Sequence, residues 1–201
     1  MSTVTGSSLR QREPPLLGQT VVVIGGSAGI GLETARLARD LGAKLVLAAR
    51  NPEALQRAAS ELGAQHSAAF DATDFAQLER FFNELPARID HVLLTGPGPY
   101  YATLADFDFA KARRDVEAHL FLPMQVARMA REKVRAGGTL LFMSGTGGRH
   151  TAPGMALIGA LTAAMPALTK NLALEIAPVR VNLICWVCRH TLVGIFARQS
   201  A

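Results

Sequence analysis

TVVVIGGSAGIGLETARLARDLG, residues 20–42, decides the fold. Its first five residues are continuous, apolar and mostly β-branched, as a strand buried on both faces of a parallel sheet must be. A glycine cluster follows, then a helical pattern from Ile30 to Leu41 that Gly42 closes. The same alternation continues along the chain. Strand-like segments lie at Lys44–Ala49, His66–Phe70, Asp90–Thr95, Gly138–Met143 and Val179–Ile184. Between them, helical patterns cover Pro52–Leu62, Asp74–Leu85, Ala105–Arg135 with a break before Pro123, and Pro153–Ile176. Strands alternating with helices predict βαβ units with right-handed crossovers, hence an α/β doubly wound parallel sheet in three layers.

Composition bounds the rest. A length of 201 residues suits one domain, and 49% apolar content supports a sizeable core. The net charge of +5 comes from scattered arginines without a basic run or interleaved aromatics, which argues against nucleic acid as a partner. No apolar segment reaches the roughly 20 residues of a membrane span. The N-terminus lacks the apolar core of a signal peptide, so a cytoplasmic location is expected. Both cysteines, Cys185 and Cys188, lie near the end of the chain, so no disulfide framework is expected.

The segment Gly25-Gly26-Ser27-Ala28-Gly29-Ile30-Gly31 sits between a buried strand and a helix. There the backbone must turn tightly, and side chains at the glycines would keep a pyrophosphate away. The helix N-terminus adds free N–H groups and a favourable dipole. This context predicts a Rossmann-type dinucleotide site.

At this point the chain resembles the short-chain dehydrogenase/reductase family. That family's turn, Gly-x-x-x-Gly-x-Gly, is matched by Gly25, Gly29 and Gly31. Asp71-Ala72-Thr73-Asp74 is similar to its Asp-x-x-Asp segment, and LTKNLALEIAPVRVN, residues 168–182, to its late helix and sixth strand. The resemblance covers residues 18–184. It implies a nicotinamide cofactor and a small carbonyl or alcohol substrate. An NAD site needs a carboxylate at the end of the second strand, but this chain reads Val46-Leu47-Ala48-Ala49-Arg50-Asn51. Arg50 is placed to clamp a 2′-phosphate, so NADP(H) is preferred over NAD(H). The expected cofactor contacts are Gly25, Ser27, Gly29, Ile30, Gly31, Arg50, Asp71, Ala72 and Gly96.

The family's catalytic pattern is absent. Anchored on Arg149, Pro153-Gly154 and Leu168-Thr169-Lys170, its Tyr falls on Ile158 and its Lys on Thr162. Its Ser falls on Gly145, with Ser144 one place early, and its Asn on His119. Its Asn-Asn-Ala-Gly segment becomes Leu94-Thr95-Gly96-Pro97. An isoleucine cannot carry a proton, so catalytic residues stay unassigned, with Ser144, His119, Tyr100 and Tyr101 as possible substitutes. Two function classes follow: an NADP-dependent oxidoreductase with a relocated acid, or a non-catalytic NADP-binding or regulatory protein.

Three regions are expected: a mobile tail over residues 1–17, the dinucleotide-binding domain over 18–184, and an aberrant tail over 185–201. After residue 184 the family's capping turn, substrate lid and seventh strand are missing. Cys185, Cys188 and His190 make a poor metal cluster on an unanchored tail. Back-translated one base out of frame, the tail permits Gly-Phe-Val-Asp-Thr-Pro-Leu, which is similar to the family's cofactor-capping segment. A reading-frame change near codon 184 is therefore expected, with a longer, homo-oligomeric parent.

Overall fold

The computed structural model describes residues 13–86, 88–149 and 151–186. Its strands are β1 Thr20–Ile24, β2 Lys44–Ala49, β3 His66–Ala69, β4 Ile89–Leu94, β5 Val134–Gly145 and β6 Arg180–Trp186. They form one sheet in the order β3-β2-β1-β4-β5-β6, parallel throughout. The helices are α1 Gly29–Asp40, α2 Pro52–Leu62, α3 Phe75–Glu84, α4 Phe109–Val116, α5 Leu122–Lys133 and α6 Ala156–Glu175.

The alternation of β1 explains the layers. Val21 and Val23 pack with Ala35, Ala38, Leu55 and Leu62 of α1 and α2. Val22 and Ile24 face the opposite way, toward a cluster holding Leu78, Phe82, Val126, Met165 and Leu172 of α3, α5 and α6. Successive side chains thus serve opposite layers, as period 2 requires. Right-handed crossovers put α1 and α2 on one face and α3 to α6 on the other. Strand order reverses between β1 and β4, and a crevice opens beyond their carboxyl ends.

Several expectations need correction. Residues 14–18 are tied down rather than loose: Leu16 N–H donates to Leu41 O, Gly18 N–H donates to Gly42 O, and Leu16 packs on the core. Residues 1–12 lie outside the described residues. β5 begins at Val134, earlier than expected, because a register shift opposite Ile89 and His91 absorbs the Arg135–Gly138 segment. The expected break before Pro123 is instead a widened turn. Glu117–Phe121 is π-helical, and Leu122 N–H donates to Glu117 O. Pro123 follows that turn, in the first turn of α5.

An apolar helix of membrane-spanning length does exist. α6 has 20 residues and by length and composition alone could cross a membrane. Here Ile158, Leu161, Met165, Thr169 and Leu172 form its buried row. At the other boundary, β6 runs past residue 184, since Cys185 and Trp186 pair with Ser144 and Gly145 of β5. The rest of the tail, with Cys188 and His190, lies outside the described residues. Val181 and Leu183 face the α6 side, which leaves Asn182 and Ile184 on a face that no described helix covers; Ile184 is 44% exposed.

Candidate cofactor cleft and catalytic corner

The ends of β1, β2, β3 and β4 each contribute a piece of a cleft of about 1110 Å³. The turn after β1 supplies Gly25, Ser27, Gly29, Ile30 and Gly31; β2 supplies Arg50, β3 Asp71 and Ala72, and β4 Gly96. All the cofactor contacts expected from sequence therefore lie on one surface.

The glycines do different jobs. Gly25 has φ +93°, and a Cβ there would stand 2.0 Å from Thr95 Oγ1. At Gly31 a Cβ would stand 2.2 Å from Gly25 O. These two let α1 sit against the ends of β1 and β4. Gly29, at φ +54°, differs: a Cβ there meets nothing within 4 Å. It opens the ground above the α1 N-terminus. Among the described residues no side chain caps that terminus, whereas Asn51, Asp74 and Asp108 cap α2, α3 and α4. Its first N–H groups are thus available to an anion. Together, the open position, free donors and basic Arg50 fit a pyrophosphate-bearing dinucleotide.

Arg50 is exposed on the cleft wall and forms no ion pair among the described residues. Its neighbour Asn51 is occupied, accepting from Ala54 N–H at 2.9 Å. Asp71 Oδ1 accepts from the N–H and hydroxyl of Thr73, at 3.0 and 2.8 Å, which fixes the carboxylate at the cleft edge. Sequence reasoning missed the opposite wall. Lys111, Arg114 and Asp115 of α4 also line the cleft. Their i, i+3, i+4 spacing places them on one helix face and was the available signal. Asp108, which caps α4, is held below the usual carboxylate range by the Lys111 N–H bond, against a smaller opposing effect of burial.

Beyond Gly96 the cleft narrows into a cavity of about 20 Å³ bordered by His119, Ser144 and Thr162. Gly96, Ala118 and Met143 line both spaces. Three of the substituted positions expected from sequence thus meet near one corner, where a Cβ on Gly145 would stand 3.7 Å from Thr162 Cγ2. Ile158 is buried at 4% exposure, clustered with Met155 and Leu161. The Thr162 hydroxyl donates into its own helix, with Ile158 O at 2.8 Å. Tyr100 is committed elsewhere: its hydroxyl accepts from Asp108 N–H at 2.8 Å, and its ring packs on Phe107. Tyr101 is 37% exposed and lines neither space.

A family model described as short chain dehydrogenase matches residues 19–197. The short-chain dehydrogenase/reductase ATR9 of Stachybotrys chlorohalonatus is 28% identical over 186 residues, covering 85% of this chain and 74% of that protein. Oxidoreductase UcpA of Salmonella typhimurium is 31% identical over 201 residues, covering 92% and 75%. Among solved structures, a dehydrogenase/reductase from Sinorhizobium meliloti superposes with a TM-score of 0.80 at 26% identity, covering 87% of this chain and 74% of that one. The sheet order, the glycine turn and these matches agree: the chain belongs to the short-chain dehydrogenase/reductase family of oxidoreductases.

Proposed function

We propose that this protein is an NADP(H)-dependent oxidoreductase acting on a small carbonyl or alcohol. The observation that carries the cofactor choice is Arg50, which forms no ion pair among the described residues and stands at the end of β2, where the sequence has no acidic residue for a ribose 2′-OH. Gly25, Ser27, Gly29, Ile30 and Gly31 would hold the pyrophosphate, Asp71 and Ala72 the adenine side, and Gly96 the inner ribose. When bound, the nicotinamide supplies or accepts hydride; the chain positions it and excludes water. The protein's own task is to hold a proton near the substrate oxygen at the inner corner.

One observation favours a second reading, a non-catalytic NADP-binding protein. Ile158 is core, and the Thr162 hydroxyl is spent within α6, so neither moves a proton. Fluorescence titration with NADPH and NADH, followed by turnover over a panel of small carbonyls, separates the readings. Tight NADPH binding with turnover supports the enzyme, and tight binding without turnover supports the alternative. Equal affinity for both cofactors contradicts the proposed role of Arg50.

A further inference from the structure

We infer that His119, backed by Asp115, is the general acid of the inner corner. The inference rests on the nicotinamide reading above and names the group that delivers its proton. Asp115 is buried, 6% exposed, at the end of α4. Its Oδ1 lies 3.1 Å from His119 Nδ1, and its backbone oxygen lies 3.0 Å from the same nitrogen. The other carboxylate oxygen accepts from Tyr100 N–H at 3.4 Å, so the loop after β4 helps hold it. Both neighbours of Nδ1 are acceptors, so Nδ1 carries the proton in neutral imidazole. Nε2 is then the nitrogen that gains and gives one.

The Nε2 edge of the ring is turned toward Gly96, at the inner end of the cleft. Gly96 lines both the cleft and the inner cavity, and a Cβ built on it would make ordinary contact with Nε2 at 3.8 Å. The cavity that His119 shares with Ser144 and Thr162 has room on the scale of one small oxygen-bearing group. The π-helical turn Glu117–Phe121 carries the ring, a distortion that often marks functional sites. Bound NADPH would supply the hydride in a reduction, and the chain's own residues would supply the proton. The carbonyl oxygen takes the Nε2 proton of the imidazolium, which leaves neutral imidazole bonded through Nδ1 to Asp115, and a proton from solvent restores the acid form. Asp115 is a positioning residue: it fixes the tautomer and the orientation of the ring.

The test uses the full chain. In ligand-free protein, ¹⁵N NMR of the imidazole should show His119 as the Nδ1–H tautomer when neutral; the Nε2–H tautomer overturns the assignment. His119→Gln should bind NADPH within about twofold of the parent while carbonyl turnover falls about 10²–10⁴-fold. Asp115→Asn should lower kcat about tenfold or more with little change in substrate KM. Turnover that survives His119→Gln, a parent that binds NADPH without turnover, or loss of NADPH binding in His119→Gln overturns the role of His119 alone. A parent that binds no NADPH overturns the cofactor reading and this inference with it.

Discussion

Around the first crossing, from β1 to α1, the backbone and the smallest side chains shape the cleft. At the corner between β5 and α6, Ile158 packs into the core and only a small cavity remains. Gly25 and Gly31 leave no room for a Cβ, while Gly29 leaves room for a ligand. Across the cleft, Ile158 sits in a small apolar cluster and Thr162 bonds to its own helix. One end meets the demands of holding a phosphate, while at the other the two positions where the sequence reading places the family's Tyr and Lys are a core isoleucine and a threonine bonded to its own helix. This contrast moves the expected chemistry from α6 to the turn after α4, where Asp115 and His119 meet.

The contrast can be broken most forcefully at the glycines. Gly25→Val combines left-handed strain with a clash against Thr95 and should cost about 3–5 kcal/mol in urea unfolding. Gly29→Ala should cost only about 1 kcal/mol, for its positive φ, yet weaken NADPH more than about tenfold. If both variants lose stability equally, the division between structural and ligand-facing glycines is wrong.

The opposite corner makes the reverse prediction. If Ile158 is core, Ile158→Ala should lose about 2–4 kcal/mol of stability and leave NADPH affinity within about twofold. A large affinity loss with unchanged stability would place Ile158 in the ligand site.

A smaller effect should appear at the other end of the strands, away from the cleft. Burial alone would push the Asp90 carboxyl up, but Arg135 and the Thr20 N–H outweigh it and hold it below 3.8. A carboxylate depressed in the fold stabilises above its unfolded value and loses that contribution as pH falls. Asp90→Asn should therefore cost about 1–2 kcal/mol at neutral pH, and the gap from the parent should close below about pH 4. His91 has the same sign: burial holds its ring below 6.5, so its contribution fades as pH falls from that value. A gap between Asp90→Asn and its parent that widens in acid would contradict this account.

The first crossing was legible because each of its signals is local. A β-branched run, a glycine spacing and a helix pattern need only neighbouring residues, and β1, β2 and α2 fall where the sequence places them. The start of β5 was not legible, because Arg135-Ala136-Gly137-Gly138 reads as a turn and only pairing with β4 makes it strand. Likewise, α6 looks membrane-capable by composition, and only its packing on the sheet gives its apolar face a partner. At the inner corner, His119 was visible as a substitution. Its pairing with Asp115 depended on a π-helical turn and on a loop that buries the carboxylate. Lys111 and Arg114 were missed because nothing local tells which face of α4 borders the cleft.

The central claim is that the cleft between β1 and β4 is an NADP(H) site read by Arg50. Calorimetric titration of the parent and of Arg50→Ala with NADPH and NADH tests it most directly. The account predicts that the parent prefers NADPH and that Arg50→Ala weakens NADPH about 10- to 100-fold while leaving NADH nearly unchanged. Equal affinity for both cofactors in the parent, or equal weakening of both in the variant, would contradict it.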